Sequence, residues 1–316
     1  MKYFVILAAV LVLAVPAIAD SFGSGVNAFT IDFVPISGNA SSANGTNISQ
    51  YSPDQTGYKA FSDPANDYRM GTYEITNDQW SKFKAGADLA NKRTGIYDSY
   101  FTGTNVPTNC TSWYEAARFV NYLNTSTGHT AAYKFTGSNY IFDVWGTGDA
   151  DGTNLYRNKN ALYFLPTEDE WVKAAYWNGT NLQTYATKAG DILTQGTSTN
   201  GGWNYMDGSD SGPDGSAEGP WNVGSGSQEL NKTYDMMGNV WEWMESPYNT
   251  ENYLSGSRRG FRGGSYYRTS GSLASSYLGS CDPYVEDRGV GFRVASIPEP
   301  CTLLLLGLGG MLVRKR

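Results

Sequence analysis

The sequence predicts an α+β fold poor in regular secondary structure, on three observations. Three segments open with the Ser/Thr-x-x-Glu/Gln spacing of a capping box and continue along one apolar helical face. Segments near 29–34 and 68–75 alternate apolar and polar residues as strands do. The remainder is largely Gly, Asn, Ser and Asp interrupted by isolated aromatics, the pattern of irregular chain pinned by large side chains. With 37 glycines, 14% aromatic and 17% charged residues in 316, this composition suits one large loop-rich domain or two small ones.

In chain order, residues 1–19 have the form of a secretory signal peptide: Lys2, an apolar run from Phe4 to Val15, then Ala17-Ile18-Ala19. That run is shorter than the ~20 residues needed to cross a bilayer as a helix. A strand is expected over Phe29–Val34, and the polar, turn-forming residues 36–57 read as a surface loop or spacer. "YRMGTYEI" (68–75) reads as the second strand. Helices are expected after Thr76 (with Gln79), Ser112 (with Glu115) and Thr167 (with Glu170), the last ending at Gly179. No internal repeat or composition break divides residues 25–296. "IPEPCTLLLLGLGGMLVRKR" ends the chain: a short apolar stretch stopped by Arg314, Lys315 and Arg316. With Pro298-Glu299-Pro300 it resembles the PEP-CTERM sorting signal of exported bacterial surface proteins, which implies envelope sorting machinery as a partner of residues 297–316.

Without the two ends, 19 basic and 29 acidic residues remain, a net charge of −10. Such a surface repels phosphate backbones, so nucleic acid is excluded as a partner, while divalent cations suit it. Cys110 and Cys281 are the only cysteines outside the tail, so the fold does not rest on a disulfide framework. The single histidine, His129, excludes a two- or three-histidine metal site, and its flanks carry no nucleophile turn. No local spacing singles out a pair of glycosidase carboxylates.

Six stretches occur in fixed order: "YEITNDQW" (73–80), "SWYEAARFVNYL" (112–123), "LPTEDEWVKAAY" (165–176), "MMGNVWEW" (236–243), "RGGSYY" (262–267) and "GFRVA" (291–295). Together they resemble the formylglycine-generating enzyme, or sulfatase-modifying factor, family. The resemblance implies a single C-type-lectin-like domain over about 25–296. It also implies a chemistry: oxidation of a substrate cysteine by oxygen at a copper(I) ion held by two cysteines. The first would stand three residues after the serine of "GGS" and the second five further on, and here those positions are Arg268 and Leu273. Soft monovalent copper needs thiolate-type ligands, and a guanidinium adds positive charge where the cation belongs. Copper is therefore not expected. The alternative is an oxidoreductase working through Cys281, with or without Cys110.

Calcium is the expected cofactor. "NYMDGSDSGPDGSAEG" (204–219) crowds Asp207, Asp210, Asp214 and Glu218 among small residues, the hard-oxygen composition Ca²⁺ selects. The resemblance places Asn204 and Asp214 as side-chain ligands there, with the register around Asp214 one residue off. It implies a second calcium at "GNVWEW", held by Asn239, Glu242 and backbone oxygens near Gly238 and Val240. The competing reading of Glu242 is a buried acid paired with Arg262 or Arg293. "GDADGTN" (148–154) lacks the acidic spacing of an EF-hand and reads as a turn.

The family's active-site groove would be lined by Trp243 and Ser265, with Tyr266, Tyr267 and Arg268 beside them. An arginine fork among aromatics can hold a carboxylate, a sulfate or a sugar acid; in the competing reading Arg268 pairs with Asp282 or Glu286 and the aromatics are core. The sequence thus points to an exported binding or structural module, with an anionic or carbohydrate ligand or a surface protein as partner.

Overall fold

The computed structural model describes residues 18–41, 47–49, 58–64, 66–87, 100–206, 219–248 and 252–298. The signal run before Ile18, the acidic residues Asp207, Asp210, Asp214 and Glu218, and the tail after Pro298 lie outside them. Strands β1 (Ile18–Phe22), β2 (Phe29–Ile36), β3 (Asn47–Ser49), β4 (Tyr58–Ala60) and β5 (Tyr68–Gly71) precede helices α1 (Asn77–Gly86) and α2 (Trp113–Ser126). Short strands β6 (Lys134–Thr136), β7 (Ile141–Asp143), β8 (Ala150–Asp151), β9 (Asn154–Asn158) and β10 (Tyr163–Phe164) lead to helix α3 (Glu168–Tyr176). Then come β11 (Trp241–Pro247), β12 (Arg259–Arg262), β13 (Gly279–Cys281), β14 (Val290–Gly291) and β15 (Ala295–Ser296).

All three capping boxes form. In each, the Ser or Thr side chain accepts from the backbone N–H three residues on, and the Gln or Glu carbonyl or carboxylate accepts in return. Glu170 has a second task, because Arg157 binds it at 2.8 Å and reaches Glu245 on β11 at 2.8 Å, tying the start of α3 to the second sheet. Helix α3 stops at Tyr176, with Trp177 as its C-cap; the expected terminator Gly179 lies in the following turn at φ +92°. The "GDADGTN" stretch is the β8–β9 hairpin, turning at Gly152 with φ +60°.

A five-stranded sheet has the order β1-β2-β5-β15-β10 and a four-stranded one the order β13-β12-β11-β14, in which only the β11–β14 pair is parallel. Strand β2 runs two residues past the expected end at Val34, because its second face becomes covered. Phe29, Ile31 and Phe33 enter one apolar cluster with α1 and α2, while Val34 and Ile36 enter another with α3, Met236 and Leu273. Burial on both sides explains why the alternation stops at Val34. All four residues of β5 are buried for the same reason.

The sheet begins ahead of residue 25. Strand β1 pairs along β2 from Ile18, and Asp20 accepts two hydrogen bonds from Arg69, the closer at 2.6 Å, and one from Tyr163. Cleavage after Ala19 would leave that ion pair on the first residue of the remaining chain. Among the described residues no helix is long and apolar enough to cross a membrane.

Candidate functional site

The turn that enters β11 organises the region. Gly238 and Asn239 both take left-handed backbone conformations, φ +82° and +58°, the region where glycine is free and asparagine is tolerated. This lays Gly238 directly on the Asn204 backbone, where a side chain would collide with the Asn204 carbonyl. Asn204 O accepts from Asn239 N at 2.9 Å, Gly263 O accepts from Gly238 N at 2.8 Å, and Asn239 O accepts from Tyr266 N at 2.9 Å. One tight turn thereby joins "WNY", "GNVWEW" and "RGGSYY".

The Asn239 side chain is saturated inside this knot. Its Oδ1 accepts from Asn204 Nδ2 at 3.1 Å and from Trp221 N at 2.7 Å, and its Nδ2 donates to Glu74 Oε2 at 2.6 Å. Glu242 is fully buried and equally engaged: Arg293 donates to both of its oxygens, at 2.5 and 2.6 Å, and Trp171 Nε1 donates at 2.7 Å. Of the two arginines considered for Glu242, Arg293 is the partner; Arg262 pairs instead with Glu168 at 2.6 Å. The side chains Asn239 and Glu242 are therefore held by donors of the protein, and a calcium ion on Glu242 would have to displace the Arg293 guanidinium, an arrangement that does not favour the ion there. Among the described residues no three His, Cys, Asp or Glu side chains are grouped to hold a metal.

Asn204 differs. It is 2% exposed, and its Oδ1 has no hydrogen-bond partner. A buried amide oxygen left unpaired is costly. Two residues on, Met206 donates its N–H to Arg268 O at 2.8 Å.

Around Arg293 gather Glu74, Glu229, Asp235 and Glu242, all buried. One guanidinium faces several carboxylates. Burial is the main cause that pushes Glu229 up to about 8 and Asp235 up to about 6, and it holds Glu74 well above the ordinary range.

The groove residues do not behave alike. Trp243 is completely buried, its indole N–H donating to Thr111 O at 2.7 Å and its ring edge-on to Phe261, so it is core and lines no groove. Sequence could not separate these cases, since an aromatic in a "WEW" alternation looks the same on either face of a covered strand. Ser265 is also buried, with its Oγ unpartnered. Tyr266 is 6% exposed, and its hydroxyl has no partner either.

Arg268 is exposed and lies over the Tyr267 ring at 5.0 Å, with no ion pair to Asp282, Glu286 or any other described residue. Leu273 is the opposite: fully buried in the α3 cluster, where it packs on Gly264 so closely that a Cβ there would sit 2.6 Å from Leu273 Cδ1. The two positions that the resemblance assigns to a copper pair thus have contrasting surroundings, one in water and one in the core. Cys110 and Cys281 form no disulfide. Burial pushes both thiols above the ordinary cysteine value, away from the thiolate that binds metals. Cys281 sits on β13 opposite Arg259, and Cys110 takes φ +54° beside Asp287.

Cavities of about 360, 450 and 290 Å³ open beside α1, between α1 and β2, and between β9 and α3. None is lined by Trp243, Ser265, Tyr266 or Arg268. Tyr266 instead meets Phe101 edge-on, and Phe101 meets Tyr100, both far upstream and without any local signal in the sequence.

Residues 45–297 match the family described as the sulfatase-modifying factor enzyme 1-like domain. No curated protein matches the chain. Among solved structures, Treponema denticola variable protein 1 is similar with a TM-score of 0.59 and 20% identity, over 90% of this chain and all of that one. CarF is similar at 0.58 and 21% identity, over 85% of this chain and 99% of that one. PvdO from Pseudomonas aeruginosa is similar at 0.54 and 16% identity, over 90% and 100%. At these identities the likeness is one of fold, and it agrees with the expected lectin-like α+β domain.

Proposed function

Because the chain belongs to the sulfatase-modifying factor enzyme 1-like family, we propose that it is an exported, envelope-sorted binding or structural module on that fold, without the copper-dependent oxidation. The observation that carries this is the contrast between Arg268, exposed and stacked on Tyr267, and Leu273, buried against Gly264. A copper pair needs two thiolates facing one another, and these two positions supply a surface cation and a core hydrocarbon. Fold carries no activity by itself, so the reaction stands or falls with its ligands. Export rests on the signal-like residues 1–19 and sorting on the PEP-CTERM-like tail.

Calcium enters as a structural ion at the Asn204 end. Asn204 Oδ1 would be one ligand and carboxylates of the 207–218 stretch the others, and the ion would neutralise a crowded acidic loop. It supplies folding stability and takes part in no reaction.

The test is oxygen uptake by the purified protein with copper and a cysteine-bearing peptide. No uptake above the protein-free rate is expected. Copper-dependent uptake that disappears in Cys281→Ser would replace this reading with the oxidoreductase one.

A further inference from the structure

The surface beside Tyr266 is built from residues that the chain brings together from three distant segments. Tyr100 meets Phe101 edge-on at 5.0 Å, Phe101 meets Tyr266 at 5.3 Å, and Tyr266 meets Tyr267 at 4.9 Å, each pair steeply inclined. Four rings therefore run in continuous contact. Two exposed arginines bracket them: Arg268 over Tyr267 at 5.0 Å and Arg288 over Tyr100 at 5.8 Å. The neighbouring acid, Asp287, accepts from Tyr267 OH at 3.2 Å and from Gly289 N at 2.8 Å. Neither arginine has an ion-pair partner among the described residues, on a chain whose net charge is −7.

Two features of this surface define what it fits. First, Tyr100 is 57% exposed and Tyr267 is half-buried, so these two rings reach solvent, whereas Tyr266, 6% exposed, is held beneath the surface. Exposed aromatic rings offer apolar area on which the C–H face of a sugar ring can rest. Second, two planar guanidinium forks flank the rings, the geometry that pairs with planar carboxylates.

We propose that this surface binds an acidic glycan, its sugar rings lying on Tyr100 and Tyr267 and its uronate carboxylates paired with Arg268 and Arg288. The inference rests on the binding-module reading above and names its ligand class. Tyr100 and Arg288 are the residues it adds.

The test is calorimetric titration of the purified protein with tetragalacturonate, its neutral galactose counterpart, and a tetraglutamate peptide, repeated for Tyr100→Ala, Arg288→Gln and Arg268→Gln. All three side chains are exposed, so the variants are expected to melt with the parent protein. The proposal expects tetragalacturonate to bind about tenfold or more tighter than the neutral oligosaccharide, and each variant to weaken it by about fivefold or more. Equal binding of the neutral sugar, or tighter binding of the peptide, with either lost in Tyr100→Ala, would overturn the acidic-glycan assignment and leave the binding surface standing. Binding of no probe, or binding indifferent to all three substitutions, would overturn both the assignment and the reading beneath it.

Discussion

Asn204 donates its side-chain amide to Asn239 Oδ1 at 3.1 Å, so two residues expected to serve separate calcium sites are joined by one hydrogen bond. That bond uses up the Asn239 oxygen and leaves the Asn204 oxygen open, which makes the two sites unequal.

The first prediction follows from that inequality. A chelator is expected to lower the melting temperature of the parent protein, because an ion bound only by the native state stabilises it. Asn204→Ala should abolish the chelator effect, whereas Glu242→Gln, though destabilising, should keep it. For a domain of this size each kcal/mol of linkage corresponds to about 2–4 °C. A melt indifferent to EDTA in the parent protein would refute structural calcium.

Leu273 and Arg268 should respond to truncation very differently. Leu273→Ala removes a fully buried side chain packed on Gly264 and is expected to cost about 2–5 kcal/mol. Arg268→Ala removes an exposed one and should stay within about 0.5 kcal/mol. Urea denaturation of the two variants checks this; comparable losses would mean the two positions share an environment.

Arg293 is the guanidinium on which the buried acids depend. Arg293→Met leaves Glu242 without its strongest partner and Glu74, Glu229 and Asp235 without a nearby positive charge, with an expected loss of about 3–5 kcal/mol at pH 8. Lowering the pH to 5 should restore part of it as the carboxyls take up protons. A variant that melts within a degree of the parent protein at pH 8 would show that the cluster is balanced in another way.

Glu229 sets a pH dependence of definite sign. Its carboxyl is raised from 4.5 to about 8 in the folded state, chiefly by burial. Below pH 4.5 both states hold the proton. Between there and about 8 the unfolded chain releases it while the folded protein keeps it, so stability falls as pH rises, by up to about 1.4 kcal/mol per pH unit. Glu229→Gln should flatten this slope; urea midpoints at pH 5 and 7.5 measure it, and an unchanged slope would reassign the titration to another group.

Local signals survived into the structure where their partners were local. Each capping box needs only residues three apart, and all three formed where the spacing placed them. Leu273 and Trp243 show the limit: each takes its meaning from a neighbour across the fold, Gly264 and Thr111, that no spacing indicates. The end of α3 was missed for a similar reason, since the chain turns at Trp177 to enter the second core before reaching Gly179.

By itself, the sequence determined the helix starts, the order of the six motifs and the family, because capping, turn chemistry and apolar spacing act over a few residues. It also determined that Arg268 and Leu273 stand where the resemblance puts a copper pair. Only the tertiary structure decided that Glu242 belongs to Arg293, that Asn239 is spent on Asn204 and Trp221, and that Tyr100 and Arg288 join Tyr266 at one surface. Those outcomes turn on which buried groups find partners far away in the chain, a pairing favoured by the cost of burying a charge or amide alone and recorded by no local spacing.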